Sequence, residues 1–156
     1  MADNDTQGMQ LPKPDPALER LEPLIGRWEI KGRTLDSDVD NLEGRTTFEW
    51  IPGGFFLQQR FEMSFMGIEI RSLELIGYDP STEAFSSLVF SNLAGAPIPY
   101  IWDLRDGVLA ISMEGMANFR GEFSEDGNSF TGGWRPEPGK EGPGNVPYDV
   151  TGTRTG

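Results

Sequence analysis

An acidic residue set inside an apolar run is the first candidate for chemistry in this chain. Glu74 stands between Leu73 and Leu75. Enclosed without a cation, its carboxyl would keep its proton well above the usual range and could serve as a general acid or base. The alternative is that Glu74 points to solvent or pairs with a neighbouring arginine. Gln59, Ser87 and Ser112 are further polar residues expected on inward faces, and Arg60 and Asp103 join them only if strand parity slips by one. In a barrel enzyme of isomerase or hydrolase type, Gln59 or Arg60 would orient the substrate beside Glu74. A second cluster, Asp36-Ser37-Asp38-Val39-Asp40-Asn41-Leu42-Glu43, places carboxylates at positions 1, 3 and 5 of a calcium-type loop. Asn41 stands where that loop needs glycine, and Thr47 where it needs its bidentate glutamate, so the segment reads as a solvated loop and no metal is expected.

Composition removes many other mechanisms. The chain of 156 residues has no cysteine and no histidine. Thiol nucleophiles, disulfides, Ser-His-Asp triads, histidine-ligated haem and ordinary structural zinc sites are excluded. No paired catalytic carboxylates and no phosphate-cradling glycine loop stand out, and no cofactor is expected. Thirteen basic against 25 acidic side chains give a net charge of −12. Such a surface repels phosphate backbones and anionic lipid, so neither nucleic acid nor membrane is an expected partner. No apolar run approaches the ~20 residues of a spanning helix. The N-terminus MADNDTQGMQ lacks a basic leader region, which makes the cytoplasm the expected location.

The elements that must position these residues are mostly strands. Residues 1–14 are polar and aperiodic and are expected to be disordered, with one barrel domain over 15–156. Asp15 can cap a helix and Pro16 suits its first position; Leu18, Leu21, Leu24 and Ile25 would form one apolar face, Pro23 would limit the length, and Gly26 suits the C′ position just past its end. Ten candidate strands follow, at 27–34, 44–51, 55–64, 68–78, 84–91, 98–104, 108–114, 117–124, 129–135 and 147–154. The separators, such as Met66-Gly67, Arg105-Asp106-Gly107 and Glu125-Asp126-Gly127-Asn128, have hairpin chemistry. Nothing between strands could serve as a helical crossover. The fold expected is therefore all-β: a ten-stranded antiparallel up-and-down barrel with one short N-terminal helix. The segments 35–43, 92–97 and 137–145 form longer loops, the last rich in Gly and Pro and expected to be mobile.

Alternation assigns some inward faces. Phe48 and Trp50 share a face, as do Phe55, Leu57, Gln59, Phe61 and Met63, and as do Tyr100, Trp102 and Leu104. Phe119 and Phe123 flank Gly121, and Phe130 and Trp134 flank Gly132; these glycines would leave room or permit sharp coiling. Strands four, five and seven are apolar on both faces, so their parity stays open; a strand such as 86–90 would suit a homodimer contact. The residues expected to line an interior ligand site are Phe48, Trp50, Leu57, Gln59, Phe61, Tyr100, Trp102, Phe119 and Trp134. They could equally fill an ordinary core, although ten strands enclose more than the eight that side chains just fill.

Gly26-Arg27-Trp28 directly after a short helix resembles the G-x-W signature of lipocalins and their calycin relatives. Gly53-Gly54-Phe55-Phe56-Leu57, Met66-Gly67 and Gly77-Tyr78-Asp79, followed by Thr82 and Phe85, resemble a bacterial family of lipocalin-like barrels known only as a domain of unknown function. The resemblance covers residues 18–154. It implies a barrel that holds a small hydrophobic or amphipathic molecule, with Trp28 at the closed end under Arg154 from the last strand. The histidine of haem-binding relatives is missing, so that activity does not carry over. Binding is the favoured function. A barrel enzyme and a structural module that works through its exterior are the alternatives.

Overall fold

Period-two alternation and turn chemistry produce ten strands in the computed structural model, which describes residues 10–156. Residues 1–9, most of the stretch expected to be disordered, lie outside the described part. The strands are β1 (Gly26–Thr34), β2 (Leu42–Trp50), β3 (Phe56–Phe65), β4 (Ile68–Asp79), β5 (Ala84–Ser91), β6 (Ile98–Arg105), β7 (Val108–Met113), β8 (Ala117–Phe123), β9 (Ser129–Pro136) and β10 (Tyr148–Arg154). Each pairs antiparallel with its sequence neighbours, and β10 pairs with β1 to close the barrel. The Met66-Gly67 and Asp106-Gly107 turns have both central residues at positive φ, 51° and 84° in the first and 53° and 76° in the second. That is the mirror-image turn geometry whose twist matches paired strands, and glycine carries it without strain.

One end is plugged by a helix. Pro16–Leu24 is a 3-10 helix, capped by the Asp15 carboxylate, which accepts from the Ala17 N–H at 2.9 Å. Three residues per turn put Leu18, Leu21 and Leu24 directly above one another, and all three are buried in the barrel core. An α-helix would have splayed them, and Pro23 cannot donate the bond that would continue one. Ile25 caps the helix, its N–H closing the last turn on the Glu22 carbonyl at 3.1 Å, and Gly26 follows at the C′ position as expected and opens β1. There it has φ +124°, and a Cβ would stand 2.5 Å from the Gly156 carbonyl oxygen.

The structure settles the ambiguous parities. Glu74 and Ile76 of β4, Phe85, Ser87 and Val89 of β5, and Leu109 and Ile111 of β7 are buried inward, while Leu88 and Phe90 are exposed outward. Ser112 pairs with the exposed Ile101, so it lies on the outer face and leaves the candidate site. Arg60 and Asp103 are also outward; Asp103 pairs with Arg20 of the helix and with Arg105. Leu42 and Glu43, read as loop, begin β2. The space left by the inward glycines is filled by rings: a Cβ on Gly152 would lie 2.1 Å from Phe130, and one on Gly132 2.7 Å from Phe119. The 137–145 loop is tied down by Asn145, whose side chain donates to the Met116 and Lys140 carbonyls at 2.9 and 3.1 Å. Among the described residues no helix is long and apolar enough to cross a membrane.

Candidate functional site

Adjacent strands bring Glu74, Ser87 and Trp102 together. Glu74 lies beside Val89 in the β4–β5 ladder, one inward step from the Ile76–Ser87 pair, and Phe85 stands opposite Trp102 between β5 and β6. All three side chains point into the barrel and are buried, Glu74 to 4 % exposure. Ser87 Oγ donates to Glu74 Oε2 at 2.5 Å, and Trp102 Nε1 donates to the same oxygen at 2.7 Å. Trp102 Nε1 also reaches Ser87 Oγ at 3.2 Å. No arginine or lysine pairs with Glu74 among the described residues. Burial therefore dominates: it raises the carboxyl pKa to about 7, although the two hydrogen bonds favour the ionised form.

The second oxygen, Oε1, takes no hydrogen bond from the described chain. Among the described residues every fully enclosed side-chain polar atom has a partner. Oε1 must therefore border space that a water or a ligand atom can reach. The same holds for the hydroxyls of Tyr100 and Tyr148, which are inward-facing, half-buried and without hydrogen-bond partners in the chain. Burial pushes the Tyr100 hydroxyl up to about 12, and the charge of Glu74 adds to the rise. Burial likewise raises Tyr148, with a smaller contribution from Tyr100. Four inward-facing polar atoms thus have no hydrogen-bond partner among the described residues and are within reach of solvent: Glu74 Oε1, the two phenolic hydroxyls and the Trp134 indole N–H.

The residues expected to line the interior separate into two groups. Phe48, Leu57, Trp102 and Phe119 are fully buried in the core, with Phe48 and Trp102 packed edge-to-face at 6.2 Å. Trp50, Phe61, Tyr100 and Trp134 are half-buried. Tyr100 and Trp134 meet across the interior at 5.8 Å, and Phe65 and Tyr148 do so at 5.1 Å. Gln59 faces inward as expected, but its amide donates to Thr46 Oγ1 at 2.9 Å, which in turn donates to the Arg60 carbonyl at 3.0 Å. Gln59 is a brace between strands. Tyr148 and Phe65 were not among the expected lining residues; Tyr148 shares the inner face of β10 with Arg154, and that parity was the available signal.

Two open grooves of about 830 and 720 Å³ lie on the outside of the barrel, over β1 with β8–β10 and over β1–β3. They run between long charged side chains such as Lys31, Arg33, Arg120 and Arg135, and touch neither Glu74 nor the inward tyrosines. Among the described residues no group of acidic side chains is placed to hold a metal. In the loop once compared with a calcium site, Asn41 instead ties the strands: its side chain accepts from the Thr34 N–H at 3.0 Å and donates to Thr34 Oγ1 at 2.8 Å.

At the plugged end, Trp28 Nε1 donates to the Leu24 carbonyl at 2.8 Å, and Trp28 is 1 % exposed. The Arg154 guanidinium lies over its ring, 4.2 Å from the centroid. Arg154 also donates to the carbonyls of Ile25, Pro23 and Gly127.

A search of curated proteins finds no match. Among solved structures the chain is similar to the crystal structure of Rv2717c from M. tuberculosis, at 14 % identity and a TM-score of 0.48, over 92 % of this chain and 100 % of that one. Residues 13–101 match the family described as "Protein of unknown function (DUF1579)", which is more than half of the chain, and the protein belongs to that family.

Proposed function

We propose that the barrel interior binds a small hydrophobic or amphipathic molecule, its polar end directed at Glu74 Oε1. The observation that carries this reading is the set of inward polar atoms left without partners: Glu74 Oε1 and the hydroxyls of Tyr100 and Tyr148. A folded chain gives such groups partners from within or leaves them to water or ligand. Around them stand aromatic rings, the usual wall of a small-molecule site. The stacking of Arg154 on Trp28 supports the lipocalin-like reading, in which the plugged end serves as the floor.

The test is titration with a series of equal chain length bearing an alcohol, a carboxylate or an amine, read by thermal unfolding. A ligand that binds only the folded state raises the melting temperature with concentration. Phe61→Ala and Trp134→Ala should weaken binding, while Phe56→Ala, on the outer face, should leave it unchanged. No shift with any head group would remove the reading.

A second reading rests on one specific observation. A buried carboxyl with a pKa about 7 is poised for proton transfer near neutral pH. In that case Glu74 is the acid or base and Tyr100 the neighbouring donor. Glu74→Gln would abolish turnover while retaining ligand-induced stabilisation.

A further inference from the structure

The outer face of β3–β6 carries an apolar patch, in a chain with a net charge of −12. The ladders set Leu75 beside Leu88, Leu73 beside Phe90, and Ser86 beside Ile101. Phe56, Leu88, Phe90 and Ile101 are 44, 46, 48 and 46 % exposed. The outward positions between them carry Gln58, Arg60, Gly77, Ser86 and Pro99, and acidic side chains of this face, Glu62 and Asp103, stand at its ends.

We propose that this face is the contact between two copies of the chain. An isologous interface must complement itself, and β4 has the required arrangement. On its outer face Arg71 stands four residues before Leu75 and Asp79 four residues after. A twofold axis across the strands at Leu75 sets Arg71 of each copy against Asp79 of the other. Neither residue forms an ion pair within the described chain. Asp79 is half-buried at the end of β4, and hydrogen bonds from the Ser81 side chain and backbone hold its carboxyl below the usual range, so it is ionised. Four strands at about 4.8 Å spacing and nine residues at about 3.4 Å rise give roughly 600 Å² in plan. The face is thus of the size class of a standard interface, which buries ~800 Å² on each partner. Its centre is apolar and its ends charged, as in such interfaces.

The test is sedimentation equilibrium of the full chain. The expected result is a dimer for wild type, a monomer with unchanged circular dichroism for Leu88→Glu, weakened association for Arg71→Asp, and recovered association for Arg71→Asp combined with Asp79→Arg. A wild-type chain that stays monomeric up to millimolar concentration overturns the proposal. So does a dimer that survives Leu88→Glu. A monomer that binds phosphatidylcholine vesicles overturns it in favour of a lipid surface.

Discussion

Trp28 and Arg154 face each other across the β1–β10 seam, and both reach past it to the helix. The indole N–H ends on Leu24, while the guanidinium covers the ring and holds Pro23 and Ile25 by their carbonyls. One stacked pair therefore joins the first strand, the last strand and the plug.

Arg154→Ala should lower stability by about 2–4 kcal/mol. A cation–π contact contributes about 0.5–2 kcal/mol, and hydrogen bonds from a charged donor about 1.5–3 each, less what water restores. Arg154→Lys should recover only part, because an ammonium cannot fork between three carbonyls. Urea midpoints of the three proteins check this. An unchanged midpoint for Arg154→Ala would mean that the helix is held by its leucines alone.

Glu74 makes stability depend on pH, and the sign follows from burial. Its pKa rises from an ordinary 4.5 to about 7, so between those values the folded chain keeps a proton that the unfolded chain has lost. Stability contributed by this group is therefore complete below about 4.5, declines as pH rises, and levels off above about 7. The total loss is of the order of 3 kcal/mol. Unfolding curves of wild type and Glu74→Gln between pH 4 and 8 isolate the effect: the difference between the two should slope across that window. Parallel curves would place the carboxyl in water.

Gly152→Ala should cost about 1–3 kcal/mol, the range for overpacking a filled core. The new methyl would meet Phe130, whose ring is held against Trp28 at 5.4 Å and Phe123 at 5.7 Å. Phe130→Leu should make the same substitution cheaper, so the double variant should be more stable than the sum of the singles allows. Additive losses would show that the ring moves aside freely.

Strand positions were legible because turn glycines and alternation repeat at short intervals, and the face of β3 followed from Leu57 and Met63 against Arg60 and Glu62. Parity failed where both faces are apolar. In β4, Leu73 and Leu75 face outward and Glu74 inward, the reverse of what hydrophobicity alone would suggest. In β7, Ser112 was misassigned for the same reason: Val108, Ala110 and Leu109, Ile111 are indistinguishable by polarity. Whether the helix is α or 3-10 was not legible, because Leu spacings of three fit both helix types over so short a span. That Trp102 would donate to Glu74 was invisible, since it depends on the register of three strands.

Closing the barrel through β1 and β10 also sets when it can form. The two seam strands stand at opposite ends of the chain, so β1 keeps an unpaired edge until β10 has been synthesised. Until then the inward aromatic residues have no closed interior to occupy. Sheet formation can spread hairpin by hairpin, but the final seam joins Trp28 to Arg154 across nearly the whole chain. Such distant pairing is slow, and the open intermediate is the state most exposed to aggregation. A substitution that weakens the seam would therefore reduce the yield of folded protein more than its equilibrium cost implies.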